Sequence, residues 1–81
     1  MKLANFRKKH RIRQEDLAKN LGITQASLSQ IERGIIYPSL SLALKIEEYT
    51  RQIDPDNYIK ATELINPKKL EEFKLLQKVA K

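Results

Sequence analysis

The fold of this chain is decided by residues 14–33, which read QEDLAKNLGITQASLSQIER. Glycine adopts positive φ at no steric cost, so Gly22 can end one helix and begin a sharp turn. Ala18 is small where a second helix must approach closely, and Thr24 can cap that second helix. The remaining apolar residues have the spacing of helix faces that close on one another, namely Leu17, Leu21, Ile23, Leu28 and Ile31. The stretch therefore predicts two short helices joined by a tight turn.

Two more helices are predicted around this pair. Leu3 and Phe6 have the spacing of one buried helix face, which indicates a first helix over about residues 1–9. Ser39 can cap a fourth helix that reaches about Tyr49.

Proline dipeptides predict two later helices. Asp54-Pro55 and Asn66-Pro67 each place a capping residue before a proline, which is favoured at the first position of a helix. No alternating apolar run suggests a strand. We therefore predict an all-α chain of five to six short helices. Residues 1–50 would form a helix-turn-helix domain, and residues 51–81 would form a C-terminal helical extension.

Composition restricts the function. The chain has 81 residues, enough for one compact domain, and its 16 Lys and Arg against 10 Asp and Glu give a net charge of +6. Such a charge favours polyanionic partners, above all nucleic acid. The chain has no cysteine and one histidine, His10, which we expect to be solvated. We therefore expect no metal and no other cofactor.

Other function classes are disfavoured. There is no glycine-rich phosphate loop, and carboxylates such as Glu47-Glu48 and Glu71-Glu72 stand in adjacent pairs that a helix points apart, so the chain is predicted not to be an enzyme. No small-molecule ligand is expected. No apolar run has the length of a membrane span, and we expect a cytoplasmic protein without membrane contact.

The chain resembles the Cro and phage-repressor family of bacterial and phage transcription regulators, which have a lambda-repressor-like helix-turn-helix fold. The resemblance rests on residues 14–18, 21–25 and 31–34 together with Pro38-Ser39-Leu40, and it extends from about Leu3 to Ile46. It implies a nucleoid-associated repressor that binds an inverted repeat in double-stranded DNA as a homodimer. The alternative is a helix-turn-helix module that binds another protein, as an adaptor or an antitoxin-like partner.

The resemblance implies that the second motif helix lies in the major groove. Four of its residues would contact base edges, namely Gln25, Ala26, Ser27 and Gln30. Glutamine can make two hydrogen bonds to adenine, so we expect an A·T-containing half-site. The alternative is that these side chains are only the solvated face of an amphipathic helix.

The resemblance also implies contacts with the DNA backbone. The candidates are Arg11, Arg13, Gln14, Thr24, Arg33 and Tyr37. Arg13 stands where the family often has a capping Ser, Thr or Asn, and a guanidinium cannot accept hydrogen bonds from helix amides. Ile35 and Ile36 follow Gly34 where the family commonly has basic or polar residues. They suggest a contact surface there, and the alternative is that they tuck under the fourth helix.

Two further groups are expected to support the fold or the assembly. In the family, an arginine of the first helix pairs with a glutamate that corresponds to Glu32, so Arg7 and Glu32 are expected to form a structural ion pair. In the last helix, Leu70, Phe73 and Leu76 form an apolar stripe. This stripe either packs on its own domain or makes the dimer contact.

Overall fold

Helices form where apolar spacing and capping residues predict them. The computed structural model describes residues 2–79, and the side chains of these residues apart from those at 73 and 77–79. Its elements are α1 (Lys2–Lys9), α2 (Gln14–Leu21), α3 (Gln25–Glu32), α4 (Leu40–Ile53), a 3₁₀ helix (Ala61–Glu63) and α5 (Pro67–Val79). No strand occurs in residues 2–79, which confirms the all-α prediction. Within the same residues, no helix is long and apolar enough to cross a membrane.

One core joins the helix-turn-helix pair to α1, α4 and the segment that follows α4. Its buried apolar residues are Leu3, Phe6, Leu17, Ala18, Leu21, Leu28, Ile31, Ala43, Ile46, Ile59, Ala61, Leu64 and Ile65. Ile12, Ile23 and Leu70 are partly buried and pack against this core. The core therefore continues beyond residue 50, and residues 59–65 share it with the motif.

Three of the helices end in the same way. Arg11, Gly22 and Gly34 all have positive φ, at 55°, 72° and 75°. In each case their amide donates to the carbonyl three residues back at 3.1–3.2 Å, and the next amide donates to the carbonyl five residues back at 2.9–3.0 Å. This pair of bonds satisfies carbonyls that the end of a helix leaves open. The chain therefore turns sharply after α1, α2 and α3.

The prediction of a helix that begins at Asp54-Pro55 is wrong. α4 continues past Tyr49 to Ile53, and a turn follows in which the amide of Asn57 donates to the carbonyl of Asp54 at 3.1 Å. Two side chains of α4 bind the next backbone amides, because Thr50 Oγ1 accepts from Ile59 N at 3.1 Å and Glu47 Oε1 accepts from Ala61 N at 2.9 Å. A helix over residues 55–61 would use these amides for its own bonds.

The helix predicted at Asn66-Pro67 begins at Pro67, where the dipeptide places it. The side chain of Asn66 accepts a hydrogen bond from the amide of Lys68 at 3.0 Å, as a capping residue should. α5 then runs to Val79.

The expectation that His10 is solvated is also wrong. Its ring packs on Phe6 with 4.3 Å between centroids, and its Nε2 atom is buried 3.4 Å from Asp54 Oδ2. This contact joins the end of α1 to the end of α4. Nearby, the guanidinium of Arg51 lies 5.9 Å from the ring centroid of Tyr58. A hydrogen bond from Arg51 to Glu48, and the charge of that carboxylate, raise the pKa of the guanidinium above its ordinary value.

Candidate nucleic-acid interface

α3 presents a polar face opposite its buried one. Leu28 and Ile31 fix the orientation of the helix because both are buried in the core. On the other side Gln25, Ala26 and Gln30 are exposed, and Ser27 is partly buried. Ala26 and Gln30 are four residues apart and therefore neighbours on one helix face. The structure brings the four predicted base-contacting residues onto one short helix whose outer side is open.

Hydroxyl groups organise the start of α3. Thr24 Oγ1 accepts from the amide of Ser27 at 3.1 Å and lies 2.9 Å from Ser27 Oγ, to which it donates. The predicted cap at Thr24 is therefore formed. Because the Thr24 proton is used within the cap, a phosphate contact from this side chain requires that the bond to Ser27 be exchanged.

Four side chains form a continuous polar network that ends at the first residue of α3. Gln25 Nε2 donates to Gln14 Oε1 at 3.2 Å, and Gln14 Nε2 donates to Glu32 Oε1 at 2.9 Å. Arg7 completes this polar network with two bonds to the Glu32 carboxylate, at 2.8 Å from Nε and 3.1 Å from Nη2. The first residue of α2 is thus held against the first residue of α3.

The Arg7–Glu32 ion pair is well enclosed. The side chains are 14% and 5% exposed, and Arg7 Nη1 also donates to the carbonyl of Ile12 at 3.1 Å. The paired geometry matches the fork of the guanidinium to the two carboxylate oxygens. Removal of one partner would leave a charge without compensation, at a cost of about 3–5 kcal/mol. The pair therefore joins α1 to the end of α3.

Two arginines lie before the N-terminus of α2. Arg11 is exposed in the turn after α1. Arg13 occupies the capping position of α2 without a side-chain cap bond, and its side chain is 76% exposed. It lies beside the acids of the first turn, with Nε 3.1 Å from Asp16 Oδ2 and Nη1 3.6 Å from Glu15 Oε1. A phosphate contact at Arg13 must compete with these two acids.

The opposite end of α3 is more apolar. Arg33 and Tyr37 are exposed, so both predicted phosphate contacts are accessible. Ile35 and Ile36 between them are also exposed, at 58% and 39% of their surface. They do not tuck under α4, and the loop after α3 carries an apolar surface beside the predicted DNA face.

The apolar stripe of α5 divides between two environments. Leu70 is partly buried against the core, whereas Leu76 is 67% exposed. Phe73 lies outside the side chains that the structure describes. A groove of about 450 Å³ runs between the loop before α4 and α5, and both Leu40 and Leu76 contribute to its walls.

Sequence reasoning missed the bond between Gln14 and Glu32. The resemblance pointed to Arg7–Glu32 and, separately, to Gln14, but the two meet only in three dimensions, across eighteen residues. The available signal was that a carboxylate has two oxygens and Arg7 does not exhaust their lone pairs. In the described residues, no three His, Asp or Glu side chains come together in a way that could hold a metal ion.

The chain is similar in sequence to known proteins. Residues 3–58 match the family model described as helix-turn-helix, of the Cro/C1 type. An uncharacterised HTH-type transcriptional regulator of Methanocaldococcus jannaschii is 46% identical over 48 residues, which cover 59% of this chain and 73% of that protein. No solved structure matches the chain significantly. The family-model match includes the whole two-helix motif.

Proposed function

The chain belongs to the Cro/C1-type helix-turn-helix family of transcription regulators, and from this membership we propose that it binds a specific double-stranded DNA sequence as a homodimeric repressor. The family is one of regulators and not of enzymes. The observation that carries the proposal is the open face of α3, where Gln25 is held by Gln14 at 3.2 Å beside exposed Ala26 and Gln30.

Base reading is assigned to this face. A held glutamine has less rotamer entropy to lose when it meets a base, so its two hydrogen bonds to adenine cost less to form. Gln25 and Gln30 are long enough to reach base edges in the major groove, and Ala26 is small enough to sit against a thymine methyl. We expect these residues to specify A·T pairs in each half-site.

Backbone binding is assigned to the two ends of the motif. Arg11, Arg13 and Gln14 lie in the turn before α2 and at its first residue, and Arg33 and Tyr37 follow α3. Gln14 still has one amide proton to offer, because its other contacts use one N–H and the carbonyl oxygen. The net charge of +6 supports nonspecific attraction to the duplex.

The test of base reading combines selection of duplexes from random DNA with the variants Gln25→Ala and Gln30→Ala. Each good two-bond contact provides about 1–3 kcal/mol of discrimination between bases. Each variant should therefore lose preference at one base pair of the half-site and keep its affinity for nonspecific duplex at low salt. An unchanged preference in both variants contradicts the assignment.

Arg13→Ala is the contrasting variant in the same experiment. A lost phosphate contact lowers affinity for all sequences alike and reduces the slope of log affinity against log salt by about 0.9. The selected sequence should stay the same. If the slope does not change, Arg13 makes no phosphate contact and only pairs with its neighbours Asp16 and Glu15.

The exposed Ile35, Ile36 and Tyr37 favour a second candidate, a module that binds another protein. Nonspecific duplex at low salt separates the two, since a DNA-binding domain keeps weak electrostatic affinity there. A chain that selects no sequence and lacks this affinity would be the protein-binding module.

A further inference from the structure

In the polar network, the donor and the acceptor of each hydrogen bond are fixed. Glu32 accepts hydrogen bonds from Arg7 at 2.8 and 3.1 Å, and an ionised carboxylate can only accept. The amide of Gln14 must therefore turn its NH₂ group toward Glu32, as the 2.9 Å bond from Nε2 to Oε1 shows. The buried charge of Glu32 thus decides which end of the Gln14 amide points inward.

This orientation is passed on to Gln25. Because the NH₂ group of Gln14 points to Glu32, its carbonyl oxygen points to Gln25. The NH₂ group of Gln25 donates a hydrogen bond to this oxygen at 3.2 Å. A reversed Gln25 would place two carbonyl oxygens against each other. Gln25 therefore keeps its carbonyl oxygen and one N–H for another partner.

We infer that Glu32 is a positioning residue which fixes the donor and acceptor pattern of Gln25 and so makes that side chain favour adenine over guanine. The inference rests on the proposed function. Adenine offers a donor at N6 and an acceptor at N7 in the major groove, whereas guanine offers acceptors at both N7 and O6. The free carbonyl oxygen of Gln25 matches the adenine donor and is opposed to a guanine acceptor.

Because Glu32 is buried, it acts on Gln25 only through Gln14, and its hydrogen bond to Gln14 is strong. The residue is 8% exposed and lies behind Gln14, so it does not itself reach the bases. A partly desolvated carboxylate gains more from a hydrogen bond than one in water does, because the surroundings screen it less. A neutral amide at the same position could either donate or accept, and Gln14 would then be free to turn.

The experiment uses the duplex selected by the wild-type protein and a set of duplexes in which each A·T pair of the half-site is replaced by G·C. Gln25→Ala identifies the base pair that Gln25 reads, where one contact gives roughly five- to 150-fold discrimination. At that pair, Glu32→Gln should reduce discrimination at least about fivefold. Affinity for nonspecific duplex at low salt should stay within about twofold.

Two controls separate positioning from general damage to the fold. Glu63→Gln makes the same change in net charge at an exposed pair with Lys2, and it should leave discrimination unchanged. In the Gln25→Ala background, Glu32→Gln should have no further effect on discrimination, since the residue acts through Gln25. A merely structural residue would lower binding in both backgrounds.

Gln14→Leu provides the test if Glu32→Gln does not fold, because it cuts the polar network while the Arg7–Glu32 pair stays intact. It should also reduce discrimination at the pair that Gln25 reads. Full discrimination in a folded Glu32→Gln or Gln14→Leu variant overturns the inference and leaves the proposed function standing. A wild-type protein that selects no sequence overturns the proposed function itself, and the inference with it.

Discussion

At the scale of single residues, helix ends show what a sequence can and cannot predict. Gly22 and Gly34 could be assigned to sharp ends because only glycine adopts positive φ freely. Arg11 adopts the same conformation, with φ of 55°, and no property of arginine predicts it. The turn is imposed by Phe6 and Ile12, which must both reach the core on either side of it.

Arg11→Gly should therefore stabilise the protein and weaken DNA binding. The left-handed conformation costs about 1–2 kcal/mol for a residue with Cβ, and glycine removes this cost. The added freedom of glycine stabilises the unfolded chain and offsets about 0.4–1 kcal/mol of that gain. The net gain should raise the melting temperature by several degrees, on the order of 2–8 °C for a chain of this size. The loss of a phosphate contact should lower affinity and the salt slope.

Arg11→Ala is the matched control for this prediction, because it removes the same charge without relieving the backbone. Its DNA affinity should match that of Arg11→Gly, while its melting temperature should not rise. Equal melting temperatures for the two variants would contradict the strain at Arg11. Unchanged salt slopes would remove Arg11 from the phosphate contacts.

At the scale of elements, two identical signals have opposite outcomes. Asp54-Pro55 and Asn66-Pro67 have the same local chemistry, yet only the second begins a helix. The difference lies in Thr50 and Glu47, which bind the amides of the segment after Asp54. Local signals at Gly22 and Gly34 predicted the ends of α2 and α3, but such signals could not anticipate bonds that cross from α4 to another segment.

The candidate site divides in the same way. The open face of α3 follows from helical spacing within eight residues and could be predicted. The bond from Gln14 to Glu32 depends on how α2 crosses α3, which spacing alone does not give. The sequence therefore indicates which residues lie on the open face of α3, and that Gln14 can brace Gln25 there, but not that Glu32 holds Gln14 in turn.

Thr50→Val tests the bonds that replace the predicted helix. The hydroxyl of Thr50 is fully buried, donates to carbonyls of α4, and accepts from the amide of Ile59. Valine has nearly the same shape but leaves that buried amide without a partner, which should cost about 1–3 kcal/mol of unfolding free energy in a denaturant titration. Thr50→Ser keeps the acceptor and loses one methyl group, at about 1 kcal/mol. A valine variant at least as stable as the serine variant would contradict this role.

At the scale of the whole molecule, one chain provides one α3 and, under the proposed function, would read one half-site. Two chains related by a twofold axis would place their α3 helices about 34 Å apart, one turn of duplex, on an inverted repeat. The surfaces available for such a contact are apolar. Leu76 of α5 is 67% exposed, and it borders the groove shared with Leu40.

If α5 forms the proposed dimer contact, Leu76→Glu should break the dimer and leave the fold intact. Its side chain contributes little to the core of its own chain, so the melting temperature should change little, whereas a charge in an apolar contact between chains is costly. Sedimentation at micromolar concentration should show the wild-type protein as a dimer and the variant as a monomer. The variant should also lose cooperative binding to the inverted repeat, because two weak half-site affinities no longer combine.

Lys74→Gln is the control for Leu76→Glu, since it changes the net charge equally on the same helix and at an exposed position. It should keep the dimer. A wild-type chain that sediments as a monomer with and without its selected DNA would exclude the dimer altogether. If the Leu76→Glu variant has a lower melting temperature but stays dimeric, α5 packs on the core of its own chain. Ile35 and Ile36, which are exposed in the loop after α3, then become the surface through which two chains meet.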